Sequence, residues 1–429
     1  MEDRLTRHCE AEAREILDFM PGLVIEGARQ VGKSTLARLL AADDEAVIVN
    51  LDEPQTRAAA VEDLTGFVAQ AGDKLMVIDE AQNLPEITLA VKTAIDRDRR
   101  PGRFILTGSS SLLRVRGLAD SLAGRVGRLG LYGFSQGELA GSRDDFAAAV
   151  TAASSDQLVA HRSDLERRDY ARLVAQGAYP PVREASERRR QRWLDDYLQG
   201  LLRRDLPELR RVFSPDRAGS LLRLLAANQA GEVVKARLAQ ESEVPAATIS
   251  TYLDLLADVW LFTAVPNWTP NLSQREVARP KGLILDSGLA TRLCRMTASH
   301  LASLEYGAAF GALLEGFVAS ELLRQRTWSE ASFDLFHYRD RAGAEVDLIM
   351  ELDGGRVIAL EVKAATSFQA SHFKSLKTLR DKLGRRLTAG IVLNTGAAGY
   401  RFSDRLYGLP ISALWRLGAD PAGRDPAAG

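Results

Sequence analysis

The chain has 429 residues, more than one hydrophobic core usually serves, so two to four domains are expected. Apolar residues make up 46% and charged residues 26%, the balance of a globular protein, and no apolar run is expected to be long enough to span a membrane. Two cysteines (Cys9 and Cys294) and five scattered histidines argue against a disulfide framework or a cysteine-rich zinc site. A net charge of −1 confines nucleic-acid contacts to local patches. The start lacks a basic-then-apolar leader pattern, and a cytoplasmic address is the expectation.

An amphipathic helix at about 4–19 leads into a short buried strand at Leu23–Glu26. The next nine residues are Gly27, Ala28, Arg29, Gln30, Val31, Gly32, Lys33, Ser34 and Thr35, which fit G-x-x-x-x-G-K-[ST] at every defined position. A strand feeding a glycine turn and then a helix points backbone N–H groups into one concavity at the positive end of a helix dipole. The stretch is therefore expected to bind ATP. Lys33 reaches the β- and γ-phosphates, and the Ser34 hydroxyl takes a place on Mg²⁺.

A second strand at 46–52 ends in the turn Asp52-Glu53-Pro54, and a helical stretch covers about 58–69. Lys74 to Glu80 then runs four apolar residues straight into two carboxylates, the pattern of a Walker B strand. Asp79 is expected to hold Mg²⁺, and Glu80 to orient and polarise the attacking water as general base. The following strand ends at Thr107, chosen as the polar sensor of the γ-phosphate, with Ser109 behind it; the serines also suit a helix N-cap. Arg125, in Ser121-Leu-Ala-Gly-Arg125, is a candidate arginine finger for a neighbouring subunit's phosphate, or a surface arginine.

Together these motifs resemble the ATP-binding domain of AAA-type ATPases of the additional-strand, catalytic-glutamate class. The resemblance implies a five-stranded parallel sheet with helices on both faces. It also implies ring-like oligomers with composite active sites.

Arginines cluster beyond this domain, at 167–168, 188–190, 192, 203–204 and 210–211, either as solvated helix faces or as a phosphate-binding surface. Residues 141–216 read as a helical lid. From about 217 to 300, three short helices with a small polar recognition-helix start (Thr248, Ser250, Thr251) give a helix-turn-helix pattern, with 260–266 as the wing. Asp286 closes an apolar strand, where it could be catalytic or could form a turn before Gly288.

Residues 301–429 read as helix, three strands, helix, strand. Period 2 puts Glu361 and Lys363 on one face, where Asp347 from the neighbouring strand and Glu315 from the helix can meet them. Converging carboxylates of this kind suit Mg²⁺, with the lysine orienting water or stabilising charge on a scissile phosphate. A bland alternative is a Glu–Lys pair on a solvated sheet face. The region resembles the PD-(D/E)xK nuclease fold, although no proline precedes Asp347.

The whole chain resembles a prokaryotic family of AAA ATPases with a C-terminal nuclease-like domain of unknown function. The expectation is an α/β protein with a P-loop core (1–140), lid (141–216), winged helix (217–300) and nuclease-like domain (301–429). It would work as a Mg²⁺-dependent ATPase on branched or forked DNA, as a homo-oligomeric ring such as a hexamer, away from membranes. A nucleotide-controlled DNA-binding regulator and a scaffold are the alternatives.

Overall fold

Strand β1 (Gly22–Glu26) is apolar along most of its length and fully buried. The other strands of the N-terminal part are β2 (Val47–Asn50), β3 (Met76–Asp79), β4 (Phe104–Gly108) and β5 (Val126–Gly130). In this computed structural model, residues 5–42, 45–109, 122–209, 213–270, 278–340 and 343–418 are described. Ser110, Ser111, Ser121, Arg210 and Arg211 lie outside them.

The strands form one sheet in the order β2-β3-β4-β1-β5, and every neighbouring pair is parallel. β4 lies between the P-loop strand β1 and the Walker B strand β3. Val24, Met76, Ile78, Phe104 and Leu106 pack with Ile87, Val91 and Ile95 of a helix at Ile87–Arg97. The alternate residues Leu23, Ile25, Val77 and Ile105 are buried as well, so the central strands are covered on both faces. Only the edge strands β2 and β5 have partly exposed positions.

Met1–Phe134 with Asp258–Trp260 make one compact unit, and Ser135–Ala257 with Leu261–Gly429 make a second. The three later expected domains fall within the second unit apart from Asp258–Trp260. Helices α1 (Pro215–Ala227), α2 (Lys235–Ser242) and α3 (Ile249–Asp258) come in succession, with left-handed Glu243 (φ 58°) ending α2. They are followed by an antiparallel pair, β6 (Phe262–Val265) and β7 (Lys281–Ile284). The outer edge of β7 meets residues 230–233 and the Gln229 side chain. That amide both donates to Ile284 O and accepts from Ile284 N, each at 2.9 Å.

A six-stranded mixed sheet completes the unit: β8 (Phe333–Arg339), β9 (Glu345–Leu352), β10 (Val357–Lys363), β11 (Leu387–Asn394), β12 (Tyr400–Ser403) and β13 (Leu406–Pro410). Its order is β12-β13-β11-β10-β9-β8, antiparallel from β8 to β10 and parallel through β11 and β13. Helix α4 (Gly307–Gln325) packs against β10. The stretch Leu304–Gln325 reaches the length and apolarity of a membrane span, which corrects the expectation that no such run exists. Its most apolar window is 61% buried inside the protein, and the helix is apolar nearly all round because it is covered on most sides.

Candidate active site

The turn after β1 is set by two glycines. A Cβ at Gly27 would stand 2.1 Å from the Leu131 carbonyl oxygen, so only glycine lets the loop pass this backbone. Gly32 has φ 100°, a conformation open to glycine, and ends the loop directly before a helix at Lys33–Leu40. No side chain caps that helix, which leaves the N–H groups of its first turn for a ligand. Ala28 and Val31 are buried against the fold, Arg29 is half-buried, and Gln30 (φ 66°) and Thr35 face outward.

The Lys33 ammonium donates to the carbonyls of Gly27 at 3.1 Å and Ala28 at 2.8 Å. Burial lowers its pKa to about 8, against the opposing pull of Glu80 and Asp79. Ser34 Oγ donates to Asp79 Oδ1 at 2.9 Å, joining the loop to the tip of β3. These are hard oxygen donors on adjacent elements, and they fit Mg²⁺.

Thr107, at the end of β4, is wholly buried. Its hydroxyl donates to Asp79 Oδ1 and accepts from the Glu80 N–H at 3.2 Å. The residue expected to sense phosphate thus fixes the two acidic residues. Glu80 has a left-handed backbone (φ 55°), unusual for glutamate, which turns its side chain away from the line of the strand. Its carboxylate accepts from the Gln82 amide, which also donates to Ser109 Oγ at 3.1 Å. Gln82 had no signal in the sequence beyond standing two residues after Glu80.

At the base of β5, Arg125 closes on Asp96 of the same chain rather than extending free. Arg128 pairs with the buried Glu26 carboxylate at 2.8 Å, beside the loop entry. Asp286 caps the helix at Ser287–Leu293 and accepts from the N–H groups of Leu289 and Ala178, the structural role of the two foreseen.

The C-terminal residues do converge. Asp347 on β9 accepts from Val362 N at 2.8 Å, and Lys363 Nζ lies 2.7 Å from Glu361 and 4.0 Å from Asp347. Glu315 descends from α4 to the same place. A second ammonium, absent from the expectation, stands among the acids: Lys281 Nζ is 2.8 Å from Glu315, 3.1 Å from Glu345 and 3.6 Å from Asp347. Burial pulls the Lys281 pKa down, but the acids more than offset it and leave it raised. Burial, with the charge of Asp347, pushes Glu315 and Glu361 upward.

Among the described residues, no group of three or more His, Cys, Asp or Glu is arranged to hold a metal ion. At the expected Mg²⁺ site each of Glu315, Asp347 and Glu361 has a lysine ammonium beside it, while Glu361 Oε2 is buried without a hydrogen-bond partner. A lone lysine opening the apolar strand Lys281-Gly-Leu-Ile-Leu was the only sequence signal of this.

Residues 20–140 match the AAA domain family, 167–300 a domain of unknown function (DUF8612), and 310–414 another (DUF4143). The chain is 27% identical over 415 residues to uncharacterized proteins Rv2008c of Mycobacterium tuberculosis and Mb2031c of Mycobacterium bovis. The match covers 96% of this chain and 85% of each relative. Among solved structures it is similar to a Walker-type ATPase of Pyrococcus abyssi, with 18% identity, a TM-score of 0.42, and 68% of this chain and 96% of that one covered. It is also similar to RuvB of Thermotoga maritima, with 18% identity, a TM-score of 0.29, and 61% and 89% covered. With a P-loop, a Walker B acid pair and a five-stranded parallel sheet in place, residues 20–140 are an AAA domain of the P-loop ATPase class.

Proposed function

We propose that the chain is an ATP hydrolase whose turnover is directed by DNA, with forked or branched DNA as the preferred form. The observation that carries the hydrolase reading is the linkage Ser34–Asp79–Thr107–Glu80, which joins the phosphate loop to both Walker B acids. Lys33 would leave the loop carbonyls for the phosphates, and Glu80 would polarise the attacking water. Ser34 and Asp79 would hold Mg²⁺, which when bound neutralises phosphate charge. In a homo-oligomeric ring, Arg125 would exchange Asp96 for a neighbour's γ-phosphate.

The DNA reading is supported by the distribution of arginine. A groove of about 500 Å³ is lined by Arg203, Arg223, Arg292 and Arg295, with Asp195 and Asp216 as its acids. Arg188, Arg189 and Arg192 are exposed on the helix at Glu187–Gly200. Phosphates are held by such surfaces without sequence preference. The helix-turn-helix reading of α1–α3, with β6 and β7 as wing, supplies a second contact, and the C-terminal unit would grip rather than cut.

The test is ATP hydrolysis alone and with single-stranded, duplex, forked and four-way DNA, at low salt with Mg²⁺. Strong stimulation by forked or four-way DNA is expected. Equal rates with and without every DNA would overturn the DNA reading while leaving the ATPase intact. Normal turnover by Lys33→Ala would overturn the ATPase itself.

One observation favours a second reading, a nucleotide-controlled scaffold for a protein partner. Exposed Glu243 precedes α3 and exposed Asp254 lies on it, acids that repel phosphate, while the nearby Glu241 is paired with Arg237 at 2.8 Å. That reading expects slow, DNA-independent turnover.

A further inference from the structure

We propose that Lys281 is a built-in cation at the acidic centre of the C-terminal sheet. Its ammonium takes the place of a divalent metal, so the folded chain binds none there and cuts no phosphodiester at that centre. The inference concerns the second unit alone and stands whether or not the ATPase reading holds.

Four carboxylates, those of Glu315, Glu345, Asp347 and Glu361, meet at this spot, and two ammonium groups answer them. Lys363 comes from the same strand as Glu361 and covers only that side. Lys281 covers the other, and its side chain is 5% exposed. Ammonium is a compact cation with three donors, and here it has three carboxylates within 3.6 Å. A divalent ion seated among the same oxygens would meet that ammonium as a like charge.

The strand that carries Lys281 is held along both edges. Lys281 pairs with Val265 on β6, and Glu232 bridges to it on the opposite edge. The chain leaving β6 then runs beside β8: His337 N donates to Pro266 O at 3.0 Å, and Trp268 N donates to His337 O at 2.6 Å. His337 Nε2 also lies 3.0 Å from the Arg279 carbonyl, two residues before Lys281. Trp268 is buried beneath this seam at 1% exposure. The hairpin and the sheet are thus stitched together on both sides of the lysine. The stem therefore leaves a fixed point of the main chain, and swinging the ammonium out would break its contacts with Glu315, Glu345 and Asp347.

The test is Mn²⁺ binding to the nucleotide-free full chain, followed by electron paramagnetic resonance, in a Ser34→Ala background that removes the P-loop metal ligand. The parent is expected to hold no Mn²⁺ that Asp347→Asn removes. Adding Lys281→Met, which keeps the stem and deletes the charge, is expected to create one site. It should bind at least tenfold more tightly than any on the parent and disappear again with Asp347→Asn. An Asp347-dependent site on the parent would overturn the proposal, and so would a folded Lys281→Met chain that gains none. Should Lys281→Met fail to fold, the parent titration decides alone: no Asp347-dependent signal upholds the proposal, and its presence overturns it.

Discussion

The Arg125 guanidinium grips both carboxylate oxygens of Asp96, at 2.7 and 3.0 Å. The hydrogen bond that Arg125 donates to Asp96 raises the arginine's pKa, and the same contact lowers that of Asp96. In the finger role proposed for it, Arg125 would have to exchange Asp96 for a phosphate in order to act. Arg125→Ala should lower turnover by about 10³-fold or more with ATP binding kept, the scale of finger arginines. Asp96→Asn should leave turnover within a fewfold. Steady-state rates and equilibrium ATP binding check both; normal turnover by Arg125→Ala would return the residue to a surface role.

Thr107→Val keeps the shape of the side chain and removes the hydroxyl that touches Asp79 and the Glu80 amide. Loss of a partner that orients a metal ligand costs about 10–100-fold in metal affinity or activity. The expected result is a kcat drop of that size with little change in KM for ATP. A rise in KM alone would mean the hydroxyl serves binding instead.

Glu321 and Arg324 form a buried pair at 2.6 Å, with Glu321 also accepting from the Gln136 N–H at 2.8 Å. Glu321→Ala leaves the guanidinium buried without its partner, and such deletions cost about 3–5 kcal/mol. Glu321→Leu with Arg324→Met should recover much of that loss. Denaturant unfolding of the three chains reads the difference.

Burial pushes the Cys294 thiol up to about 11. The reactive species is the thiolate, so a rise from 9.0 to about 11 lowers its population about 100-fold at neutral pH. In a Cys9→Ala chain, Ellman's reagent at pH 8 should react about 100-fold more slowly with native than with unfolded protein. The native rate should climb about tenfold per pH unit to pH 10. A native rate equal to the unfolded one would show that the thiol is not held in this surrounding.

The nucleotide site was legible because its information is local. Gly27, Gly32, Lys33 and Ser34 lie within one turn, and Asp79 and Glu80 end a strand whose apolar run announces burial. The five-stranded parallel sheet was what the resemblance to AAA-type ATPases implied, and the N-terminal sheet has that form. What could not be read were partnerships between distant residues: Asp96 with Arg125, Gln82 with Ser109, and Lys281 with Glu315. Period 2 correctly gathered Glu361 and Lys363, but no spacing rule brings a lysine from 34 residues before Glu315 into the same cluster. β12 went unread because its four residues mix polar and apolar, and β13 because Gly408 and Pro410 in a five-residue run read as a turn. The apolar run of helix α4 was passed over; it reaches the length and apolarity of a membrane span because burial inside protein and immersion in lipid select the same residues.

The Gln229 amide does for β7 what a neighbouring strand would do, offering one donor and one acceptor to Ile284. A two-stranded ribbon otherwise ends in open main-chain groups that a second molecule could extend. The Gln229 side chain, with Gly316 leaving room for it, completes the cover that the main chain at 230–233 gives the rest of this edge. A second copy therefore cannot extend the ribbon by adding a strand at this edge of β7.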